Sequence, residues 1–315
     1  MKTLKRIVVG ILILFSLSSV VGYFYFEQKF TPDPNYLNVR GSSGTLSIKW
    51  QGSLENPTAA LLLPVKLKGI QETFYMQLDF GSPNTIFYGN ALASLETLYP
   101  SAVRYDGPGQ NVDLAMTLGE MQITSKIFDV IDYGDSLDHT NQDKINIIGT
   151  IGTDLLEKRV AIIDFPNSSC RFSNEVATEE RVSSDFEFDK RRILLHGVID
   201  NEPVELLYDS GASAYSLITN EKIWEKYAIP GSKDVITTAN SWGTTLTVHT
   251  RPTSKRITFG GTALQLSDVT YIDGTTFVQN ILMRFSGMEG MVGNKLFADK
   301  TIFIDCKNKK FAILE

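Results

Sequence analysis

The sequence predicts an all-β protein built from two homologous, β-barrel-like lobes and preceded by one N-terminal transmembrane helix. Three observations lead to this prediction: a duplicated sequence pattern, many short runs rich in β-branched and aromatic residues, and one long apolar run near the start. The chain has 315 residues, which is enough for two medium-sized domains.

The first 26 residues are predicted to form a signal anchor. Basic residues precede an almost uninterrupted apolar run from Ile7 to Phe26, and a bilayer needs roughly 20 such residues. The basic start predicts a single-pass membrane protein with an exported body, either periplasmic or extracellular. A cleaved signal that releases a secreted protein is the alternative. Residues 27–44 are interpreted as a spacer between this anchor and the body.

Two copies of one pattern follow this spacer. Gly149–Phe165 matches Gly290–Cys306 without a gap at an offset of 141 (290 − 149), and Met116–Asp132 matches Ile257–Asp273 at the same offset. Each copy is interpreted as a hairpin, an Asp turn, a second hairpin, a Gly-containing turn, a short helix and a strand. The predicted boundaries are 45–172 for the N-terminal lobe, 173–185 for a polar linker and 186–315 for the C-terminal lobe.

An Asp turn ends an apolar run in each copy. The first turn, Asp79–Ser82, has the sequence DFGS, and the second, Asp209–Ala212, has the sequence DSGA, 130 positions later (209 − 79). Two like domains prefer to pack about a two-fold axis, which brings equivalent residues face to face. Two carboxyl groups that meet in this way share one proton and titrate as a pair. Such a pair can activate a water while protonating a carbonyl oxygen, as amide hydrolysis requires.

The neighbouring residues are expected to support the pair. Gly81 and Gly211 let the backbone turn tightly, so that its N–H groups approach the carboxylates. The Ser82 hydroxyl is expected to hydrogen-bond the Asp79 carboxylate, whereas Ala212 has no hydroxyl, which favours a raised pKa for the pair. The predicted set comprises the catalytic Asp79 and Asp209 and the supporting Phe80, Gly81, Ser82, Ser210, Gly211 and Ala212.

With both turns inside a full-length repeat, the chain resembles the pepsin/retropepsin superfamily of aspartic proteases, and its two-lobed single chain is similar to pepsin-like members. The resemblance covers nearly all of Leu61–Leu314 and includes two apolar–apolar–Gly segments, Ile147–Gly149 and Met291–Gly293. It implies the acid protease fold with a pseudo-two-fold axis. It also implies an aspartic endopeptidase that acts on a protein or peptide substrate through an Asp79/Asp209 dyad.

Three further features are implied by the same resemblance. A flap from the first lobe would carry Tyr105, although a surface Tyr in a loop is an equal alternative. Its pseudo-equivalent would carry Trp242, which either lines the pocket or caps the second lobe. Cys170 and Cys306 would lie in or beside a sheet shared by the lobes, where they either form an inter-lobe disulfide or stay as two buried thiols.

One departure from the resemblance is expected to matter. Members of the superfamily usually carry Thr or Ser directly after each Asp, and the two hydroxyls brace the lobes beneath the dyad. This chain has Ser210 on one side but Phe80 on the other. A buried hydroxyl without its partner costs about 1–3 kcal/mol. The lobes are therefore expected to pack differently below the cleft, or the dyad to be displaced.

Other functions are disfavoured by composition and spacing. The formal charge of −6 and the pI near 5.3 argue against nucleic acid as a partner. His139, His196 and His249 lack metal-ligand spacing, so neither a metal nor a cofactor is expected. The kinase loops that accompany a DFG motif and the Gly-x-Ser-x-Gly elbow of serine hydrolases are absent from the sequence. The remaining alternative is a catalytically weak or inactive relative that binds extended peptides between its lobes. Under either function the protein is expected to be a monomer.

Overall fold

The computed structural model describes residues 31–54, 56–141, 144–174, 183–273 and 288–314. The predicted signal anchor, residues 1–26, lies outside these ranges, as does most of the predicted linker. Among the residues that are described, no helix is long and apolar enough to cross a membrane.

Most of the regular secondary structure in the described part of the chain is β-strand and the helices are few and short, which confirms the all-β prediction. The first half (residues 36–174) contains helix α1 (Gly89–Leu98), a 3₁₀ helix at Thr153–Leu156, and the strands β1 (Asn38–Arg40), β2 (Leu46–Ser47), β3 (Lys49–Gln51), β4 (Ala60–Leu67), β5 (Phe74–Leu78), β6 (Ile86–Tyr88), β7 (Val112–Leu118), β8 (Met121–Ile131), β9 (Ile147–Ile151), β10 (Val160–Asp164) and β11 (Ser169–Ser173).

The second half (residues 183–314) repeats much of this order. It contains helix α2 (Glu221–Tyr227), 3₁₀ helices at Ser210–Ala212 and Asn294–Phe297, and the strands β12 (Ser184–Asp189), β13 (Arg192–Ile199), β14 (Glu202–Tyr208), β15 (Ile218–Thr219), β16 (Val235–Ser241), β17 (Thr244–Pro252), β18 (Arg256–Phe259), β19 (Thr262–Gln265), β20 (Asp268–Asp273), β21 (Gly290–Val292), β22 (Thr301–Asp305) and β23 (Lys310–Leu314).

Two local patterns show why these residues form these elements. Alternate side chains of β7 are buried, namely Val112, Leu114, Met116 and Leu118, as expected for a strand with one face on the core. Helix α2 begins after Asn220, whose side-chain oxygen accepts a hydrogen bond from the Ile223 N–H at 3.1 Å. This cap satisfies one of the backbone donors that every helix leaves unpaired at its start.

The strands form two sheets. An eight-stranded sheet has the order β1-β8-β6-β9-β5-β4-β3, with β7 pairing to β4 and β8. A fifteen-stranded sheet has the order β16-β17-β20-β15-β21-β14-β13-β12-β23-β22-β10-β11-β2, with β18 pairing to β13 and β19. The second sheet therefore includes three strands of the first half, and it joins both halves into one hydrogen-bonded layer.

The same pairing occurs around the end of each Asp-bearing strand. In the first half, β9 lies between β5, which it pairs in parallel at Leu78 and Ile151, and β6, which it pairs antiparallel. In the second half, β21 lies in the same way between β14, with Tyr208 opposite Val292, and β15. The Asp-bearing strands β5 and β14 also pair with β4 and β13 on their other sides, so each Asp turn follows a strand that is hydrogen-bonded on both sides.

The halves meet where β10 pairs antiparallel with β22. Ile162 lies directly opposite Phe303 in this pair, and these two residues are equivalent in the sequence repeat (303 − 162 = 141). A local two-fold axis places equivalent residues opposite each other in this way.

The two cysteines are free, buried thiols, so of the two alternatives the inter-lobe disulfide is not formed. Cys170 on β11 pairs with Ile163 on β10, which in turn pairs with Ile302 on β22. Cys306 lies four positions beyond Ile302, so the cysteines are roughly 10 Å apart across the strands and roughly 13 Å apart along them. A disulfide requires Cα atoms within about 7 Å. Both thiols are buried, which raises their pKa values.

Candidate active site

Each Asp turn is anchored by the strand that crosses beside it. The Asp79 N–H donates to the Ile151 carbonyl at 3.0 Å, and the Asp209 N–H donates to the Val292 carbonyl at the same distance. Gly152, which follows Ile151, packs against the first turn so closely that a Cβ atom there would lie 2.4 Å from Asn84. Glycine is therefore required at this crossing, because any side chain would move the turn.

The structure brings the Asp79 and Asp209 carboxyl groups together, where they hydrogen-bond each other. Each carboxyl also lies against the glycine of the opposite turn. A Cβ atom added at Gly81 would lie 2.6 Å from Asp209 Oδ1, and one added at Gly211 would lie 2.5 Å from Asp79 Oδ1. The two glycines leave the space in which the carboxyl groups meet.

Backbone N–H groups orient both carboxyls. The Gly81 N–H donates to Asp79 Oδ1 at 2.9 Å, and the Gly211 and Ala212 N–H groups donate to Asp209 Oδ1 at 2.8 and 3.3 Å. The Oδ1 atom of each aspartate is thus held by the backbone of its own turn, which fixes the orientation of the two carboxyl groups.

The environment raises the pKa of both acids. Burial, followed by the charge of Asp209, raises the pKa of Asp79 well above its usual range. Burial also raises the pKa of Asp209, but hydrogen bonds from Asp79, Gly211 and Ala212 to its carboxylate oppose this effect. Two buried carboxyls in contact therefore share one proton and titrate as a pair.

The Ser82 hydroxyl was predicted to hydrogen-bond the Asp79 carboxylate, and this prediction was wrong. Its Oγ donates to the Asn84 carbonyl at 2.8 Å, whereas the Ser82 N–H lies close enough to the Asp79 carboxylate to lower its pKa. The Ser82 hydroxyl therefore stabilises the local chain path by bonding to the residue two positions further on.

Ser210 braces the two turns from one side. Its buried Oγ accepts a hydrogen bond from the Phe80 N–H at 2.9 Å and donates to the Leu78 carbonyl at 2.9 Å. The hydroxyl therefore has both a donor and an acceptor in the opposite half. The Ser210 hydroxyl was expected to lack a partner because Phe80 has no hydroxyl, but it is fully paired.

Phe80 braces the turns from the other side by packing. The ring is 1% exposed and lies edge-on to Tyr208 with the centroids 5.7 Å apart. Tyr208 contacts Phe297 edge-on at 5.6 Å, and its hydroxyl donates to Asn294 Oδ1 at 2.7 Å. Asn294 Nδ2 in turn donates to the Ser210 carbonyl at 3.2 Å. An aromatic contact thus occupies the position where a second hydroxyl brace was expected.

Tyr105 lies in the core of the first half. It is 8% exposed, its N–H donates to Glu96 Oε1 at 3.0 Å, and its hydroxyl packs beside Gly89, 3.1 Å from where a Cβ atom would lie. Burial, with a contribution from Asp132, raises the pKa of its hydroxyl. The loop that carries Tyr105 contains no strand in the structure, so it does not form the hairpin that the sequence suggested.

The long hairpin lies in the second half instead. Strands β16 and β17 pair from Val235–Thr250 to Ser241–Thr244, and Trp242 at the tip is 41% exposed with φ +50°. Asn240 Oδ1 accepts hydrogen bonds from the Gly243 N–H at 2.9 Å and from the Tyr133 hydroxyl at 3.3 Å. Tyr133 belongs to the first half, so this hairpin bridges the two halves.

Two tyrosines that the sequence did not single out link the hairpin tip to β9, the strand that anchors the first Asp turn. The Tyr133 ring lies edge-on to Tyr88 at 5.0 Å, and the Tyr88 hydroxyl shares a 2.7 Å hydrogen bond with Thr150 Oγ1. Burial, together with smaller effects that include the charge of Asp79, raises the pKa of Tyr88 to about 12. The growth of the repeat offset from 130 to 141 was the sequence signal for the extra hairpin, but nothing in the sequence marked the tyrosines.

A cavity of about 730 Å³ is lined in part by Tyr88, Tyr133 and Asn240. Its lining includes Gln77, two residues before Asp79 in the chain, although the two carboxyl groups themselves are not part of the lining. The lining is formed mainly by side chains that can hydrogen-bond a polypeptide, among them Gln51, Gln77, Tyr88, Asn90, Tyr133 and Asn240. Within the described ranges, no three His, Cys, Asp or Glu side chains come together as a metal site would require.

Comparisons with known proteins identify the fold. No protein-family model matches this chain, and no curated protein sequence matches it. Among solved structures, the aspartic proteinase from Irpex lacteus is similar with a TM-score of 0.51 at 11% sequence identity, over 87% of this chain and 97% of that protein. At this identity the likeness concerns the fold alone, which is that of the pepsin-like aspartic proteases.

Proposed function

We propose that this protein is an aspartic endopeptidase that hydrolyses peptide bonds with Asp79 and Asp209. The observation that carries the proposal is the direct contact between two buried carboxyl groups, of which we assign Asp79 as the protonated partner and Asp209 as the ionised one. A protein that only bound peptides would gain nothing from keeping two acids in contact, because their mutual repulsion destabilises the fold.

The proposed reaction uses one acid and one base. Asp209, which is ionised, removes a proton from a water held between the carboxyls, and the oxygen of that water attacks the scissile carbonyl carbon. Asp79, which is protonated, donates its proton to the carbonyl oxygen. The C–N bond of the tetrahedral intermediate then breaks as the proton held by Asp209 passes to the leaving amine. One hydroxyl proton of the intermediate returns to Asp79 as the carbonyl group re-forms, which restores the dyad.

A pseudo-two-fold relation between two homologous lobes underlies this proposal. The matching registers around β9 and β21 support it, and so does the antiparallel contact of the equivalent residues Ile162 and Phe303. An axis of this kind explains why both turns present their carboxyls to the same point.

The substrate is proposed to bind as an extended chain beneath the β16–β17 hairpin. The hairpin reaches the first half at Tyr133, and the cavity beside it offers amide and hydroxyl groups for backbone hydrogen bonds. The covering element is therefore supplied by the second half, with Trp242 at its tip, and not by the loop that carries Tyr105.

The body is proposed to work outside the cytoplasm, as a monomer tethered by residues 1–26. The support is the apolar run and its basic flank. Fractionation of cells that produce the tagged chain tests this point. Recovery in membranes, with the body open to added protease only after the outer barrier is removed, is the expected result, and recovery in the cytosol contradicts it.

Cleavage of a mixed peptide library by the purified 315-residue chain tests the enzymatic proposal. Cleavage is expected between mildly acidic and slightly alkaline pH, and a statine-type inhibitor that imitates the tetrahedral intermediate is expected to block it. Asp79→Asn and Asp209→Asn should each lower kcat by more than about a thousandfold, because one acid cannot act as both donor and base. Binding of peptides without cleavage at any pH would favour the inactive relative instead.

A further inference from the structure

Arg191 lies in a hairpin turn whose backbone conformation does not suit it. The turn between β12 and β13 consists of Lys190 and Arg191, with φ values of 49° and 60°, as two-residue hairpin turns require. The next turn, between β13 and β14, has the same left-handed conformation at Asp200 and Asn201. Asp and Asn tolerate this conformation, whereas Lys and Arg are disfavoured in it. Another interaction has to stabilise the first turn.

The Arg191 side chain supplies that interaction by entering the first half. The side chain is 4% exposed, and its Nε donates to Glu157 Oε1 at 2.7 Å. Its Nη1 donates to the Asn84 side-chain oxygen and lies 3.5 Å from the Pro83 carbonyl. A buried guanidinium with several acceptors in fixed positions is a rigid link, because its donors form a planar fork.

The Arg191 backbone makes a second link to the same region. Its carbonyl oxygen lies 2.6 Å from Thr153 Oγ1, which also lies 2.9 Å from the Ser82 carbonyl. The Thr153 N–H donates to that same Ser82 carbonyl at 2.9 Å. Thr153 therefore connects the turn of the second half to the first Asp turn.

All these partners lie close in sequence to groups that hold Asp79. Ser82 is the last residue of the Asp79 turn and residues 83–84 follow it directly, while Thr153 lies two residues after Ile151, whose carbonyl accepts the Asp79 N–H. We propose that Arg191 is a positioning residue that fixes the first Asp turn against the second half, so that the two carboxyls stay in contact. This inference rests on the proposed function for its kinetic consequences but not for its geometry.

The adjacent Arg192 provides a matched control. It lies next to Arg191 in the same hairpin, but its guanidinium bonds to Asp189 at 2.9 Å within that hairpin and is 29% exposed. Arg191→Gln, Arg191→Lys and Arg192→Gln in the full chain therefore separate the position from the charge. Arg191→Gln is expected to lower kcat about 10- to 100-fold, since a displacement of about 1 Å has an effect of this size. KM should change less than about threefold, Arg191→Lys should recover part of the loss, and Arg192→Gln should match the wild type.

The pH profile distinguishes positioning from a purely structural role. When the carboxyls separate, the charge of Asp209 raises the pKa of Asp79 less, so the alkaline limb of the kcat profile should move to lower pH in Arg191→Gln. Asp154 also interacts with Arg191, but its pKa of about 6 would fall on the acid side of the profile. An unchanged kcat and alkaline limb in folded Arg191→Gln would overturn the proposal, since only stability would then depend on Arg191.

A readout without turnover keeps the inference separate from the proposed function. Titration of ¹³C-labelled Asp carboxyls by NMR reports the coupling of Asp79 and Asp209 whether or not the chain cleaves peptides. Coupled titration in the wild type and in Arg192→Gln, but weakened coupling in Arg191→Gln, supports the inference. Equal coupling in all three chains would overturn it. Absence of cleavage by the wild type would overturn the proposed function alone.

Discussion

The Ser210 hydroxyl and the Phe80 N–H form a 2.9 Å hydrogen bond that joins the two Asp turns from opposite halves of the chain. The same hydroxyl donates to the Leu78 carbonyl at 2.9 Å. One serine side chain therefore satisfies a donor on one side of Asp79 and an acceptor on the other, which ties the position of Asp79 to that of Asp209.

Ser210→Ala should weaken both stability and activity. The substitution leaves the Phe80 N–H and the Leu78 carbonyl buried without a partner, at a cost of about 1–3 kcal/mol each, and allows the turns to shift. The free energy of unfolding measured in urea should fall accordingly, and kcat should fall about 10- to 100-fold. Ser210→Thr keeps the hydroxyl and should stay near the wild type. Ser232→Ala, which removes an exposed hydroxyl bonded within its own turn, is the control, and an equal effect of both alanine changes would contradict the brace.

Phe80→Thr should destabilise the protein without a gain in rate, although it restores a hydroxyl at the usual position. Removal of a buried Phe ring typically costs about 3–5 kcal/mol, and the cavity would lie beside Tyr208, next to Asp209. Phe80→Leu keeps an apolar contact and should lose less. Urea unfolding and kcat/KM on one peptide measure both effects. A Phe80→Thr chain that is faster than the wild type and equally stable would show that the ring is not the brace.

The sequence repeat was sufficient to predict that Asp79 and Asp209 meet, because a duplicated fold constrains equivalent turns through its symmetry and needs no knowledge of side-chain packing. It could not predict the partner of the Ser82 hydroxyl, which depends on how the turn closes over Asn84. Nor could it predict that Phe80 packs on Tyr208, since the two residues are 128 positions apart (208 − 80) and neither is unusual in a β-rich core. Contacts that arise only when two halves assemble leave no periodic signal along the chain.

The β16–β17 hairpin, which is proposed to cover the cleft, is a second feature that the sequence did not predict. The larger repeat offset (141 against 130) shows that the second copy has the longer middle section, but the resemblance implied that a flap from the first lobe, with Tyr105, covers the cleft. Tyr105 was instead buried by the helix that precedes it, through Glu96 and Gly89. Whether a loop leaves or joins the core depends on such tertiary contacts, which local sequence does not reveal.

Tyr133→Phe should weaken substrate binding while leaving the fold intact. The change removes only the hydroxyl that donates to Asn240 at 3.3 Å and keeps the ring contact with Tyr88. A single exposed hydrogen bond contributes about 0.5–1 kcal/mol, so KM should rise about two- to fivefold with kcat nearly unchanged. Tyr99→Phe, whose hydroxyl bonds to Glu72 within the first half, is the control. Equal KM values for the wild type and Tyr133→Phe would show that the hairpin tip does not help to hold substrate.

Asp79→Asn should stabilise the fold at neutral pH even as it abolishes activity. The pKa of Asp79 is raised in the folded protein above the value of about 3.9 for an unfolded chain. Its contribution to stability is therefore complete below about pH 4 and is lost as pH rises through the folded pKa. Asn cannot ionise, and its side chain can still accept from Gly81 and donate to Asp209, so it avoids this loss.

Thermal unfolding at pH 4 and pH 8 measures the effect of Asp79→Asn. The variant and the wild type should unfold at similar temperatures at pH 4, and the variant should unfold at the higher temperature at pH 8, by roughly 2–4 °C for each kcal/mol regained. Asp106→Asn, at an exposed position that pairs only with Arg104 on the surface, should show no such pH-dependent gain. If Asp79→Asn is the less stable chain at pH 8, the hydrogen bonds to the ionised pair outweigh its repulsion, and the proton is not held on Asp79.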